Sequence, residues 1–432
     1  MILRKILGTS GSRILHAASN LLLLWLATNK LGSEAWGLSG LILLDISLLL
    51  LIADMIGNAL VFFSSRRNTK SLLKLSYFWI GIVVSAAGLI FYLLHFFPNI
   101  YHFLIPKGYG IHILLLVLLN GFHGFNMYIL LGKDRTTAFN SLFIIQFITM
   151  LLSMAGLIYI FNITDERAFV YALYASYIFP LFLGYLLILS ILRKENHSKP
   201  DASFSELFRF GSMTQLSSIA HMLNKRLSFY FINQFTGLSA LGIYNSGSQL
   251  TEGLRMIGQS IALVQISSLS NSDDRIYAKV LSLQLLKFSV ILTTIAIGIL
   301  ALIPSSVFEF IFSSGFGEIR VVIISLSPGV VALAANAIFS HYFSGTGRPV
   351  YNLYASLVGL GVTIPAVFIL IPAYGLAGAG AAASIAYTAT VIYQWFVFKK
   401  DTGANWLELL ISKNDILTAW RAIKNLKKPD SF

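Results

Sequence analysis

Ionisable side chains inside long apolar runs are the residues of this sequence best suited to chemistry. A charged side chain at the centre of a bilayer costs about 2.5–3.5 kcal/mol on insertion scales, so such residues usually face a cavity, a partner or a substrate. The three basic and three acidic residues of this kind are Lys225, Arg226, Arg255, Asp45, Asp54 and Glu252. The cations lie in the second half of the chain and two of the acids lie in the first. This layout predicts an anionic head group held by the cations, with carboxylates free to exchange a cation.

Uncharged polar residues extend this pattern along the same helical faces. Steps of three, four or seven residues keep side chains on one face of a helix. Such steps join His16 to Asn20 in the first apolar run, and Gln249 to Glu252 in the eighth. We therefore predict one wet cavity lined by spans 1, 2, 7 and 8. Substrate binding is assigned to Arg255, Arg226, Lys225, Gln249, His16 and Asn20, and ion coupling to Asp54, Glu252 and Asp45.

A structural role is the alternative for each of these residues. Glu252 and Arg255 are three residues apart and could neutralise each other. Lys225 and Arg226 could extend their charged ends to the membrane surface. His16 could be a hydrogen-bonded residue between helices, and Asp45 and Asp54 could pair across helices or act as protonatable groups.

The elements that carry these residues must be membrane helices. The chain has 432 residues, of which 56% are hydrophobic and 11% are charged, and its mean hydropathy is +0.76. Its length can hold about a dozen crossings of about 20 residues each. The absence of cysteine excludes disulfides, zinc–thiolate sites, iron–sulfur clusters and a cysteine nucleophile. We predict an all-α polytopic membrane protein with twelve spans, at roughly 12–31, 38–63, 75–97, 111–131, 140–161, 168–192, 208–232, 240–269, 282–303, 319–344, 351–371 and 374–398.

The basic residues predict the orientation of these spans. With a cytoplasmic N-terminus, 24 of the 31 Lys and Arg residues fall in cytoplasmic segments and 4 in outer ones. This bias favours twelve crossings with both termini in the cytoplasm. The formal net charge of +13 is thereby explained without a nucleic-acid partner. Helical spacing of apolar residues among Lys and Arg in 404–428 predicts a surface helix on anionic membrane lipids.

The two halves of the chain resemble each other at a nearly constant offset. Residues 32–37 recur at 237–242, 108–110 at 315–317, 132–135 at 345–348 and, loosely, 174–176 near 383–384, with offsets of 205, 207, 213 and 208. This regularity predicts a duplicated six-helix unit, with parallel copies related by an axis along the membrane normal. We assign residues 1–200 to an N-terminal lobe, 201–400 to a C-terminal lobe and 401–432 to a cytoplasmic amphipathic tail.

Several catalytic patterns are missing from the sequence. It has no Gly-x-x-x-x-Gly-Lys-[Ser/Thr] loop, no His-Glu-x-x-His and no Gly-x-Ser-x-Gly. Asp165 and Glu166 form an acidic pair in a short outer loop, which we interpret as solvated rather than metal-binding. We predict no enzyme activity, no cofactor and no metal site. A membrane polymerase or acyltransferase is the alternative that the short outer loops disfavour.

Three glycine-rich segments resemble a known family. Residues 237–245 leading to 249–252, 342–349 with Asn352, and 371–384 are similar to the polysaccharide transporters, the Wzx-type O-antigen flippases of bacteria. That family belongs to the superfamily of multidrug, oligosaccharidyl-lipid and polysaccharide exporters. The resemblance extends over nearly the whole chain, since length, span number and duplication agree with it.

The resemblance implies a flippase that moves an undecaprenyl-pyrophosphate-linked oligosaccharide to the outer leaflet by ion-driven alternating access. Arg255, Arg226 and Lys225 would hold the pyrophosphate, H⁺ or Na⁺ would couple, and polysaccharide polymerase machinery would be a partner. Related lipid II flippases carry essential arginines in span 1, where this sequence offers His16 and Asn20. A multidrug or cation antiporter of the same superfamily is the alternative function.

Overall fold

A computed structural model describes residues 2–195, 200–269 and 274–409 of the chain. This part is almost entirely helical and contains no strand. Its first half holds α1 Ile2–Lys30, α2 Gly32–Ala53, a 3₁₀ turn Asp54–Ile56, α3 Gly57–Phe63, α4 Thr69–Leu94, α5 Pro98–Leu104, α6 Gly110–Gly132, α7 Thr136–Tyr159 and α8 Glu166–Leu192. Its second half holds α9 Phe204–Thr236, α10 Leu238–Leu269, α11 Arg275–Leu302, α12 Ser305–Phe312, a 3₁₀ turn Ser314–Phe316, α13 Ile319–Gly345, α14 Val350–Thr402 and a last 3₁₀ turn Trp406–Leu409.

These elements confirm the predicted all-helical membrane fold. Eight helical segments of the described chain are long and apolar enough to cross a membrane. One of them, α14, is 53 residues long and has a non-helical residue at Gly375, with φ of 53°, so it consists of two helices. The polar helices α1, α9 and α10 are 29, 33 and 32 residues long, which also suffices for a crossing. Counted this way, the described residues supply twelve long helical segments.

Some boundaries differ from the predicted ones. Helix α1 begins at Ile2, before the predicted start of the first span at residue 12. The second span is broken by the turn at Asp54. Most of the predicted tail helix 404–428 lies outside the described residues, and the lobe boundaries at 200 and 400 stay predictions.

The repeat extends to elements that the sequence comparison did not reveal. The short helices α5 and α12 begin at residues 98 and 305, an offset of 207. Gly32 and Gly237, an offset of 205, both have positive φ values of 80° and 90°. Only glycine adopts this conformation without strain, which explains why the two turns share it. We call the end of the bundle that holds these turns the outer end and the opposite end the inner end, following the predicted topology.

The two halves meet at the outer end through α2 and α10. A Cβ atom on Gly37 would lie 2.0 Å from the carbonyl oxygen of Leu238, and one on Gly242 would lie 2.0 Å from that of Ser33. Each glycine therefore lets the backbones approach closely, and the two contacts are related by the repeat. The hydroxyls of Ser33 and Ser239 are 2.6 Å apart beside them. We call the contact of Ser33, Gly37, Ser239 and Gly242 the outer seam.

The short helices α5 and α12 flank the outer seam, and each contacts the other half. The ring of Phe103 on α5 packs against Phe231 of α9 with centroids 5.4 Å apart. On the other side, the Asn29 amide of α1 donates to the carbonyl of Ile311 on α12 at 2.7 Å. Both contacts join a loop helix of one half to a membrane helix of the other.

At the inner end, α9 packs against the broken helix α2–α3. A Cβ atom on Gly211 would lie 1.8 Å from the carbonyl oxygen of Met55, and the rings of Phe62 and Phe210 stack at 4.7 Å. Arg67 and Glu206 form an ion pair of 2.6 Å across the two halves.

Within each half, an acidic residue at or just beyond the end of the last long helix holds the loop between the fourth and fifth long helices. Glu195 accepts a hydrogen bond from Lys133 at 2.5 Å and from the backbone N–H of Thr69 at 3.0 Å. In the second half, Asp401 accepts two hydrogen bonds from Arg348 at 2.7 and 2.8 Å. These ionic clamps secure the inner end of each lobe.

Candidate functional site

Arg226 and Glu252 lie together in the second lobe. The Nη2 atom of Arg226 is 3.0 Å from Oε1 of Glu252, and both side chains are mostly buried. The guanidinium also lies over the ring of Phe229, 4.9 Å from its centroid. An ion pair in this setting lowers the cost of placing either charge inside a membrane. One predicted substrate-binding residue, Arg226, and one predicted ion-coupling residue, Glu252, are therefore direct partners.

A small cavity adjoins this ion pair. It has space of about 20 Å³, enough for about one water molecule. Tyr244 of α10 and Tyr387 of α14 line it together with residues of α13. The cavity thus lies within the second lobe, between α9, α10, α13 and α14. The cavity expected between spans 1, 2, 7 and 8 stays a prediction.

Arg255 lies one turn beyond Glu252 on α10 and is half-buried. No ion pair of Arg255 is seen among the described residues. Glu252 forms its ion pair with Arg226 instead. Gln249 donates to the Asn245 side chain at 3.3 Å, and that amide packs closely on Gly40 of α2. The polar face of α10 therefore continues toward the outer seam. The side chain of Lys225 lies outside what the structure describes.

His16 and Asn20 lie on α1 and contact each other. The Asn20 amide is 3.2 Å from Nε2 of His16. The imidazole packs on Phe143 and Phe147 of α7, with ring centroids 5.2 and 3.9 Å away. His16 is thus packed between helices of its own lobe, the alternative considered for it above.

Asp54 lies at the break between α2 and α3. The ring of Tyr128 packs so closely on Gly57 that a Cβ atom there would lie 2.7 Å from it. This contact brings the Tyr128 hydroxyl to the Asp54 carboxylate. The indole of Trp79 donates to the carbonyl of Ala53 at 3.0 Å, which satisfies a backbone group at the break. Asp54 is therefore held by residues of the first lobe.

Asp45 lies on the same helix but is held from the other lobe. Its side chain is 7% exposed, and its Oδ1 accepts a hydrogen bond of 2.5 Å from the hydroxyl of Tyr230 on α9. Its Oδ2 has no hydrogen-bond partner among the described residues. Sequence reasoning missed Tyr230 and Tyr128, because a tyrosine in an apolar run has the same pattern as a packing residue.

A second cavity, of about 340 Å³, lies at the outer end of the first lobe. Glu166 accepts a hydrogen bond from Tyr109 at 2.8 Å, and Arg167 binds Asp165 at 2.6 Å. Hydrogen bonds from Arg167 lower the pKa of Asp165. The acidic pair of this loop is therefore bonded to neighbours, and the described residues contain no cluster of three metal-ligand side chains.

Comparison with known proteins agrees with this architecture. A family profile described as "Polysaccharide biosynthesis protein" matches residues 31–321. The chain belongs to this polysaccharide biosynthesis family. No curated protein sequence matches the chain. The predicted membership in a polysaccharide family is thereby confirmed.

Solved structures of transporters share the fold. The lipid II flippase MurJ in an inward closed conformation matches with a TM-score of 0.68 and 18% identity, over 100% of this chain and 94% of that one. An inward-facing MATE-family multidrug resistance transporter matches with a TM-score of 0.68 and 14% identity, over 89% and 94%. A MOP superfamily transporter from Pyrococcus furiosus matches with a TM-score of 0.62 and 13% identity, over 93% and 94%. The chain is thus a multi-pass membrane protein with a transporter fold, and these neighbours are transporters rather than enzymes.

Proposed function

We propose that this protein is a flippase for a lipid-linked oligosaccharide. Its cargo is an undecaprenyl-pyrophosphate-linked repeat unit of the O-antigen or capsule type. It moves this cargo from the cytoplasmic to the outer leaflet of the bacterial inner membrane. The membership in a polysaccharide biosynthesis family, together with a fold shared with a lipid II flippase, carries this proposal.

The cationic residues of the second lobe support an anionic cargo. Arg226 and Arg255 are partly buried on membrane helices, and topology alone does not account for cations there. Arginine suits phosphate oxygens because its planar guanidinium donates two parallel hydrogen bonds. In the proposed mechanism, the pyrophosphate binds Arg255 and then competes with Glu252 for Arg226. Lys225, Gln249, His16 and Asn20 complete the proposed substrate contacts.

The same competition couples transport to an ion. When the pyrophosphate takes Arg226, Glu252 loses this ion pair, and its carboxylate in the membrane then favours binding of H⁺ or Na⁺. Asp54 and Asp45 are the other proposed coupling residues. Exchange of lipid for cation accounts for antiport without ATP, and delivery to a polysaccharide polymerase follows on the outer side.

A multidrug or cation antiporter is the second candidate. The MATE-family match has the same TM-score as the MurJ match, and the Arg226–Glu252 pair is neutral overall. The two functions differ in the charge of the cargo that each requires. Uptake of a cationic dye and flipping of lipid-linked oligosaccharide, measured in the same vesicles, distinguish them.

Arg255 provides the direct test. In proteoliposomes that carry undecaprenyl-pyrophosphate oligosaccharide in one leaflet, we expect Arg255→Ala to abolish flipping and Arg255→Lys to retain part of it. Arg320→Ala, at the outer end of α13, is the matched control and should flip at the native rate. Native flipping by Arg255→Ala would remove Arg255 from the site, and dye uptake without lipid flipping in the native protein would overturn the proposed cargo.

A further inference from the structure

Asp45 is a buried carboxyl group that the binding of cargo does not use. It lies about halfway along the 32-residue span Gly32–Phe63. Its Oδ1 accepts the hydrogen bond from Tyr230, and its Oδ2 has no donor within reach among the described residues. A buried carboxylate with one hydrogen bond is far costlier than the neutral acid.

Among the side chains that the structure describes, no charge near Asp45 offsets this cost. Tyr230 of α9 is the titratable group that faces it. The described side chains of α1, α4, α6, α8 and α10, the other helices packed on α2, place no charged group against it. Arg226 lies one turn from Tyr230, but it pairs with Glu252 inside the second lobe. The low-cost state of Asp45 in this conformation is therefore the protonated one.

A proton fits this position better than a metal cation. Hard cations take about six oxygen ligands, whereas Asp45 and Tyr230 together present three oxygen atoms. No cluster of three His, Asp or Glu side chains lies here or elsewhere in the described chain. A proton needs a single oxygen and no cage.

The position of the pair connects it to the outer seam. Asp45 lies two turns from Gly37 on α2, while Tyr230 lies on α9 beside Phe103, with ring centroids 5.9 Å apart. Asp45 and Tyr230 thus belong to different lobes. A separation of the lobes at the outer end that moved α9 away from α2 would break this hydrogen bond and expose the carboxyl to water.

We propose that Asp45 is a proton site that controls the outer seam. The protonated acid stabilises the closed seam, and loss of the proton to water favours the open one. By linkage, the conformation that buries the carboxyl binds the proton more tightly. This inference names the coupling ion at one of the proposed coupling residues, and to that extent it depends on the proposed function.

The natural absence of cysteine makes the test direct. Cysteines at Ser33 and Ser239, whose hydroxyls are 2.6 Å apart, form a disulfide only when the seam is closed. Cross-linking is measured in membranes between pH 5 and pH 9, and each variant is compared with Asp45→Asn at the same pH, which cancels the pH dependence of the thiol chemistry. At high pH, we expect the double-cysteine protein that keeps Asp45 to have about tenfold less closed seam, measured as cross-linking, than the same protein with Asp45→Asn.

Two variants complete the experiment. Asp165→Asn should keep the native pH dependence, because Asp165 pairs with Arg167 within one lobe and is not a proposed coupling residue. Tyr230→Phe should make the pH dependence of cross-linking steeper, because the charged carboxylate of Asp45 loses its one hydrogen-bond donor. This variant replaces Asp45→Asn in the test if Asp45→Asn does not fold. Equal cross-linking of native and Asp45→Asn proteins at every pH, or an unchanged pH dependence in Tyr230→Phe, would overturn the proposal. Cross-linking requires no cargo. A seam that responds to pH in a protein that does not flip lipid would therefore reject the proposed function but not the proton site.

Discussion

The interface between the two lobes follows the repeat at the outer end and departs from it at the inner end. At the outer end, Gly37 and Gly242 make the same contact with each other's helices, and α5 and α12 each reach the opposite half. At the inner end, Gly211 brings α9 against the break in α2. In the repeat, α1 corresponds to α9 and α10 corresponds to α2. The contact between α9 and α2 would therefore have its equivalent between α1 and α10, but these two helices form no extensive contact in the described chain.

This difference between the two ends indicates where the lobes are able to move apart. A symmetric contact uses equivalent backbone atoms of both copies. Neither half can therefore move away without breaking both of the glycine contacts. Among the described residues, the one-sided inner contact leaves α1 and α10 without an extensive contact between the lobes at this end. Contacts within the lobes do follow the repeat at this end, as the clamps at Glu195 and Asp401 show. The asymmetry therefore belongs to the arrangement of the lobes and not to the lobes themselves.

Added side chains at the outer seam should have the largest effect. We expect Gly37→Ala and Gly242→Ala to reduce the closed state of the seam about tenfold or more, because each Cβ atom overlaps a carbonyl and overpacking costs about 1–3 kcal/mol. The measurement is cross-linking of cysteines at positions 33 and 239. Gly253→Ala on α10 is the control, since a Cβ atom there meets nothing within 4 Å. Unequal effects of the two seam variants would contradict the symmetry of the contact.

The inner contact should be separable from the outer seam. Gly211→Ala places a Cβ atom on the Met55 carbonyl and is expected to reduce cross-linking between cysteines at positions 62 and 210 several-fold, again through overpacking. Cross-linking between positions 33 and 239 should fall much less. A parallel loss at both ends would mean that α9 moves as one rigid element and that the two regions are not distinct.

The clamp at Glu195 tests whether each lobe is stabilised independently. Glu195→Gln leaves Lys133 without its charged partner, and these side chains are 10% and 13% exposed. We expect a loss of about 1–3 kcal/mol of stability, seen as a lower thermal unfolding midpoint in detergent, and a similar loss for Asp401→Asn.

The same clamp predicts a pH dependence. Burial raises the pKa of Glu195, but the hydrogen bonds from Lys133 and Thr69 outweigh it and hold the pKa below its ordinary value. A carboxyl with a lowered pKa stabilises the fold above its unfolded pKa, about 4.3, and this contribution disappears as the pH falls through the folded pKa. The midpoint difference between native protein and Glu195→Gln should therefore be full at pH 7 and shrink below about pH 4. A constant difference would show that the loss comes from packing.

The ion pair between the lobes should have the smallest effect. Arg67 and Glu206 are each 29% exposed, and solvent screening leaves such a pair with only a small contribution to stability. Arg67→Ala should therefore reduce cross-linking between positions 62 and 210 by less than about fivefold. High salt should reproduce the effect in the native protein, since exposed charges are screened.

Much of the fold was predictable because apolar length and basic loops set the number and order of the spans. The break at Asp54 was not, since no proline or glycine run marks it; it depends on Trp79, Tyr128 and Met55 meeting residues distant in sequence. The helices α5 and α12 were missed for a related reason. They are 7 and 8 residues long, too short for a hydropathy pattern to distinguish them from loop.

For the candidate site, the sequence indicated the helical face of each polar residue but not the helix that the face meets. Arg226 and Glu252 were both named, yet their ion pair depends on how α9 and α10 pack on each other. The partners of Asp45 and Asp54 are tyrosines on other helices. Helix rotation is set by neighbouring side chains, so spacing along one helix does not reveal such partners.

The reciprocal glycines of the outer seam also carry a consequence for evolution. Gly37 makes room for a carbonyl of the second copy, and Gly242 makes room for one of the first. After the gene duplication that the repeat implies, neither copy was free to diverge at this position alone. Among relatives of this chain, the residues aligned with 37 and 242 should change together or not at all.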